Sequence, residues 1–350
     1  MNNGGKGGAV IPTYLDRTFG VAGKVDSDFS GSYEVVNDLL LQKDGKIIAV
    51  GTTGSPGNPK FNVVRYNADG SVDASFKVNQ KNLEFSNGAV PYSAFLDSAE
   101  RIVVAGASGG AMAALRLKKD GSLDETFGSD GKVTAAIGDR SSSFCVAAGS
   151  GDSVILGGFS LRGDKEEMAL VKFDKQGNSL NEFRGPKGAG QGQFSFAVEG
   201  GNSRIYAIQS RKDSIVAVGT AHNGSNYDFA IVKLQPDGER EASFNGESPL
   251  IINHNQNGDD VLKSVVWLND GKILVAGFTA TTQGQHQVVI YRLKEDGTKD
   301  TSFGTDGHVK LPWNIALHGG AVLSGFVKIS VDTLNRIYVA TEPMTEGRTG

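Results

Sequence analysis

Gly106-Ala107-Ser108-Gly109-Gly110 has the G-x-S-x-G spacing of a serine nucleophile. That chemistry needs the serine on a sharp turn from a strand into a helix. Here the flanking runs RIVVAG (101–106) and MAALRL (112–117) both read as strands, so the segment is a glycine-rich loop. The glycines of 185–192 lack G-x-G-x-x-G spacing and a following helix, which leaves phosphate cradling without support. Asp-Gly pairs begin at 44, 69, 120, 130, 237, 270, 296 and 306. A Ca2+ site needs about six converging oxygens. Each pair offers one carboxylate and is spread evenly along the chain, which fits turns; a single Ca2+ or other ion on a central axis is the residual cofactor reading. The five histidines, His222, His254, His286, His308 and His318, all fall between 222 and 318 without metal-ligand spacing. No catalytic residue and no metal set emerges.

What must position these residues is a repeat. A short signature, x-D/N/E-x-S/T-F, ends at Phe19, Phe76, Phe127, Phe183, Phe244 and Phe303, at intervals of 57, 51, 56, 61 and 59 residues. Repeats that long belong to propeller blades rather than helical solenoid units. In the first unit VVNDLLLQ (35–42), Asp44-Gly45 and KIIAVG (46–51) read as a hairpin, since glycine accepts the positive φ of a tight primed turn. Counterparts of its second strand are RIVVAG (101–106), SVILGG (153–158), SIVAVG (214–219), KILVAG (272–277) and RIYVAT (336–341). Third strands follow the first five: FNVVRY (61–66), MAALRL (112–117), MALVKF (168–173), FAIVKL (229–234) and VVIYRL (288–293). After the sixth the chain ends, and AVIPTY (9–14) precedes LDRTFG (15–20) as a third strand would.

The expectation is therefore an all-β, six-bladed β-propeller of four-stranded antiparallel blades. Its ring closes by pairing N-terminal strands with the C-terminal hairpin, which hides backbone groups that an unpaired last blade would expose. Residues 1–350 form one domain sharing one continuous core, with 1–8 as a flexible lead.

LDRTFG-VAGKV, LDETFG-SDGKV and KDTSFG-TDGHV together resemble the delta-60 repeat family of bacterial proteins across nearly the whole chain. Two units depart from the pattern, KVNQKN (77–82) replacing the GKV element and LNEF (180–183) running into GPKGAGQGQ (185–193). The resemblance implies a propeller-like β-structure, often in bacterial surface or secreted proteins, and brings no catalytic residues.

With 35 basic and 39 acidic residues interspersed there is no basic footprint for nucleic acid. The lone Cys145, in FCVAA, is read as buried packing. MNNGGKGG has no signal-peptide pattern and no run reaches membrane-helix length. This predicts a chain without membrane insertion, either cytoplasmic or exported by a non-Sec route, with the bacterial surface as one destination.

Short Asp-Gly turns occupy one face of such a disc, and variable loops the other. Variable loops on a repetitive scaffold usually carry binding groups. The links into the inner strands nominate Tyr33, Glu34, Tyr92, Arg140, His254, Asp259, Asp260, Trp313 and His318 as ligand-binding residues. Trp267 aligns with Leu41, Leu96, Ala148, Gln209 and Val331 and reads as core, whereas Trp313 reads as link loop. No aromatic platform repeats, which disfavours a multivalent lectin. The leading reading is a noncatalytic binding or scaffold protein with a protein or glycan partner. The alternatives are a metal-dependent hydrolase or lyase using the central pocket, and a structural module of a larger surface or particle assembly.

Overall fold

The computed structural model describes residues 15–28, 34–55, 57–188, 190–211, 213–280, 286–315 and 326–341. Among them the chain is all-β, with only short 3-10 turns, and no helix is long and apolar enough to cross a membrane.

The strands fall into consecutive antiparallel sheets. The first holds β1 (Val35–Leu41), β2 (Ile47–Ser55) and β3 (Asn58–Tyr66). Four four-stranded sheets follow in chain order. They contain β4 (Ala89–Leu96), β5 (Ile102–Ser108), β6 (Ala111–Leu117) and β7 (Lys132–Ala135); then β8 (Arg140–Ala148), β9 (Val154–Arg162), β10 (Lys165–Phe173) and β11 (Gln193–Phe196). Next come β12 (Ser203–Arg211), β13 (Ser214–His222), β14 (Tyr227–Leu234) and β15 (Leu250–Ile252), then β16 (Asp260–Trp267), β17 (Ile273–Ala280), β18 (His286–Leu293) and β19 (His308–Ile315). A hairpin of β20 (Val327–Val331) and β21 (Ile337–Thr341) ends the described chain. The first strands β1, β4, β8, β12, β16 and β20 contact one another in that order, so they form the inner wall.

The core is a series of five apolar layers between successive sheets rather than one continuous mass. Each signature Phe from Phe76 to Phe303 belongs to its own layer, and Phe127, Phe183 and Phe244 are fully buried. The signature is a clamp. Its Asp accepts hydrogen bonds on Oδ1 from the following Ser or Thr, as Asp73 does from Ser75 N and Oγ at 2.9 and 2.6 Å. The other oxygen takes a guanidinium from the third strand: Arg65 Nε to Asp73 at 2.8 Å, Arg116 to Asp124 at 2.7 Å and Arg292 to Asp300 at 2.8 Å. Each of these guanidinium groups also lies over its signature Phe ring, 4.5 to 4.7 Å from the centroid.

Cations at this position of four third strands reach the next sheet. Arg65 donates to Lys119 O at 2.7 Å, Arg116 to Lys175 O at 2.6 Å, Lys172 to Pro236 O at 2.7 Å and Lys233 to Glu295 O at 3.2 Å. Beside each contact a backbone bond crosses from the end of the signature to the neighbouring turn: Lys77 N to Asp120 O, Gly128 N to Gln176 O, Arg184 N to Asp237 O and Asn245 N to Asp296 O. The N-terminal signature repeats it, Gly20 N donating to Asp69 O at 2.7 Å. Lys46 holds the Asp73 carboxyl well below the usual carboxylate range, with Ser75 and then Arg65 assisting and burial opposing.

Six of the Asp-Gly carboxylates cap their own turns, as when Asp120 Oδ1 accepts from Ser122 N and Oγ, while Asp306 pairs with Lys299. Gly106-Ala107-Ser108-Gly109-Gly110 joins strand to strand, and Ser108 Oγ donates to Gly88 O at 2.8 Å. Cys145 is buried and its thiol is pushed up by burial, as inert packing requires.

Each of the five inner strands β1, β4, β8, β12 and β16 carries a one-residue bulge, at Asn37, Tyr92, Phe144, Tyr206 and Lys263. A glycine on the second strand faces it: Gly51, Gly106, Gly158, Gly219 or Gly277. A methyl at any of these would overlap a carbonyl oxygen of the inner strand, for example Val90 O at Gly106. Thr341 stands at the sixth position, and the described β20–β21 pairing has no bulge.

Two register expectations change. Trp267 is buried as read, but the fourth hairpin pairs Ser210 with Ile215, so Ser210 and not Gln209 occupies its row. Trp313 lies in β19, not in a link loop, because the fourth strand of its sheet is longer than the others. AVIPTY (9–14), on which ring closure turns, lies outside the described residues.

Gly106→Ala should destabilise the fold by about 1–3 kcal/mol or more in urea unfolding. Gly57→Ala, with nothing within 4 Å, should be close to neutral. Arg116→Ala, leaving the buried Asp124 with only the more distant Arg101 guanidinium at 3.7 Å as its cation, should cost about 3 kcal/mol.

Candidate functional site

The bulges place one side chain per sheet at equal height on the inner wall. Tyr92 meets Phe144 edge-on at 5.2 Å between centroids, Phe144 stacks on Tyr206 at 5.3 Å, and the Lys263 ammonium sits 3.6 Å from the Tyr206 centroid. The result is an arc through four successive sheets, Tyr92, Phe144, Tyr206 and Lys263. Phe144 also packs on Phe159 at 5.6 Å, which lies beneath two guanidinium groups, Arg140 at 5.6 Å and Arg204 at 5.2 Å. Glu166 holds Arg204 through both carboxylate oxygens. Burial pushes the Tyr206 hydroxyl up, while the Arg204 guanidinium beside it acts in the opposite sense.

Two nominated residues, Tyr92 and Arg140, join this arc at its open end. Tyr92 is 37 % exposed and Arg140 is exposed at the first position of β8. Phe144, Phe159, Tyr206 and Lys263 are not among the nominated residues. Their signal lies four places before the aligned Trp267 row, where reading Gln209 in place of Ser210 puts Ile205 instead of Tyr206 and hides the aromatic recurrence. An aromatic row therefore does repeat in three sheets, but its inner rings are packed on one another rather than presented as separate platforms.

A second set, His254, Asp259 and Asp260, gathers where the fourth and fifth sheets meet. Asp260 is fully buried and Oδ2 accepts from His254 N at 2.7 Å and Asn255 N at 3.0 Å. Burial pushes its carboxyl up to about 6, and Asp228 adds to the shift. Asp259 Oδ1 accepts from Tyr227 N at 2.9 Å, and Asn226 Nδ2 donates to Gln256 O at 3.1 Å. These bonds lock loop 223–226 to link 253–259. His254 Nδ1 lies 2.6 Å from the Tyr291 hydroxyl, with His308 packed at right angles 5.0 Å away. Burial lowers His254 to about 4, helped by Lys310, His308 and Lys299. That positive surrounding opposes a cation at the imidazole. Among the described residues no three His, Cys, Asp or Glu side chains come together as a metal set.

The remaining nominees scatter. Glu34 precedes β1 and lines a cavity of about 340 Å³ with Asp26, Ser27, Thr52 and Tyr66 in the first sheet, which contributes no ring to the arc. Trp313 is placed in β19. Tyr33 and His318 lie outside the described residues.

Four segments, 42–76, 101–127, 213–244 and 268–303, match the family described as "Domain of unknown function (DUF5122) beta-propeller". Each ends at a signature Phe, and the match supports a β-propeller repeat family. No curated protein matches the sequence. Similar solved structures include the extracellular domains 1-2 of Drosophila Semaphorin 1b, at 11% identity, TM-score 0.44, and coverage of 88% of this chain and 72% of that one. Others are a polysaccharide lyase PL25 ulvanlyase bound to a glucuronate–sulfated rhamnose unit (9%, 0.49, 85% and 74%) and a catalytically inactive variant of virginiamycin B lyase from Staphylococcus aureus with quinupristin (13%, 0.45, 88% and 77%).

The two buried titrating groups pull stability in opposite directions between about pH 4 and 6.5. The lowered His254 value makes the unfolded chain bind more protons there, so its contribution is present above about 6.5 and lost as pH falls toward 4. The raised Asp260 value does the reverse, its contribution fading as pH rises from about 4 to 6. In urea titrations across this window, His254→Gln should lower the slope of stability against pH and Asp260→Asn should raise it.

Proposed function

We propose that the chain is a six-bladed propeller closed by its own N-terminus, acting as a noncatalytic binding or scaffold module for a protein or glycan ligand. Closure is supported by the Gly20–Asp69 bond, which copies the signature-to-turn bonds between successive described sheets. It is also supported by the ion pair of Lys328 on β20 with Asp38 on β1, which joins the last described sheet to the first. The delta-60 repeat resemblance and a bacterial source belong to the same reading.

The observation that carries binding is the exposure of Tyr92 and Arg140 on adjacent inner strands, Arg140 at the first position of β8 and Tyr92 at the bulge of β4, joined through the packed rings of Phe144 and Phe159. An aromatic ring beside a guanidinium can pack on an apolar sugar face or side chain while hydrogen-bonding a polar neighbour. Such a surface requires no catalytic group. A ligand held there would meet rigid strands rather than loops, so little ordering cost accompanies binding.

A glycan array and a pull-down from bacterial lysate, each run with the intact chain and with Tyr92→Ala and Arg140→Ala, test this reading. The expected outcome is a ligand whose affinity falls by about tenfold or more in each variant. Binding indifferent to both substitutions would move the site elsewhere. No ligand, together with concentration-dependent self-assembly, would favour the structural-module reading. For closure, Asp38→Ala should expose an unpaired lysine at the seam and lower Tm, and removal of residues 1–14 should lower it further.

A further inference from the structure

We propose that the outer edge of β3 is a strand-addition site for an extended peptide. In each four-stranded sheet a fourth strand covers the third, as β7 does over Met112–Leu115 and β11 over Met168–Val171. The first sheet stops at β3, because KVNQKN folds as a 3-10 turn at Gln80–Leu83 capped by Asn79. Tyr66 and Leu117 hold the same register position against β2 and β5, so Phe61–Val64 is the stretch left without a paired fourth strand.

Backbone accounting shows what is missing. Asp73 N donates to Arg65 O at 2.9 Å and Gln80 Nε2 to Val63 O at 2.9 Å, which fixes Phe61, Val63 and Arg65 as the residues whose peptide groups face outward. Phe61 and Val63 are buried, yet no backbone group among the described residues accepts from their outward amides. Gln80 Oε1 is itself buried without a hydrogen-bond partner. Buried amides are almost always paired, by protein, water or ligand.

A groove of about 340 Å³ opens at this edge, lined by Asn58, Pro59, Lys60, Phe61, Glu84 and Phe85. Phe61 and Phe85 form its apolar floor, centroids 5.3 Å apart, and the Lys60–Glu84 pair at 2.6 Å stands on its rim. The other sheets define the occupant. Their fourth strands bury alternate apolar residues, Val133 and Ala135 in β7 and Phe194 and Phe196 in β11. The site therefore fits an antiparallel segment with apolar side chains at every second position, held by main-chain hydrogen bonds. This edge is on the third strand of the first sheet, whereas Tyr92 and Arg140 are on the first strands of the second and third sheets, and the proposal does not depend on the reading of that site.

Labelled peptides copying residues 129–137 and 191–198 of this chain serve as probes, titrated against the full protein with hydrogen exchange followed at Phe61 and Val63. The expected result is saturable binding with Kd below about 1 mM. Exchange at both amides should slow by about tenfold or more. N-methylation of the peptide amides on one alternate set should abolish binding, and on the other set leave it intact, because only one edge of an added strand faces β3. The proposal is overturned if neither peptide binds up to about 1 mM, which would leave water as the partner of these amides. Equal binding of both methylated sets, or protection confined to other strands, would overturn it as well.

Discussion

The cation on the penultimate position of each third strand carries the assembly. Arg65, Arg116 and Arg292 each bind their signature carboxylate and cover the signature ring, and Arg65 and Arg116 extend to a carbonyl of the next sheet. A buried ion pair contributes to stability only when its remaining donors are satisfied. Here the guanidinium fork does this geometrically, one edge for the carboxylate and one nitrogen for the neighbouring turn. Where lysine replaces arginine, at Lys172 and Lys233, the carbonyl contact persists while the carboxylate bond is lost. This ties the fold of each signature to the docking of the following sheet, so local and inter-sheet order form together.

Between sheets the apolar layers provide area, and the clamps provide register. A sheet could slide over a neighbour's Val, Ile and Leu side chains at small cost, since such contacts have no direction. Hydrogen bonds to Lys119 O, Lys175 O, Pro236 O and Glu295 O remove that freedom. With the angle set, the bulged inner strands bring Tyr92, Phe144, Tyr206 and Lys263 to one height. The arc is thus a consequence of clamps that lie on the third strands, while its own residues lie on the first strands.

The first sheet shows what happens when one element of the repeat is replaced. Without a GKV strand the chain covers β3 with a 3-10 turn and a glutamine side chain, which satisfies one carbonyl instead of a ladder. The apolar face is still buried, by Leu83 and Phe85 packing into the layer with the second sheet. Side-chain burial can be supplied by many local shapes, but backbone pairing of an edge needs an extended partner.

The sequence by itself determined the all-β class, the repeat, its second and third strands, the Asp-Gly turns and the burial of Trp267 and Cys145. All of these follow from period-two alternation and turn chemistry within a few residues of each site. It also held the glycine of each VG, AG or GG pair, whose role stayed hidden because a bulge is a relation between two strands. Tertiary structure alone decided that the Arg65 row pairs with the signature and reaches the next sheet, that Trp313 joins a strand, and that Tyr92 and Arg140 are linked through Phe144 and Phe159 while His254, Asp259 and Asp260 form a separate lock. Contacts between residues some fifty positions apart, such as Arg116 with Lys175 O, depend on how one sheet sits on another. A one-residue shift in register at Ser210 moves Tyr206 out of the aromatic row, since side chains on a strand change face at every step.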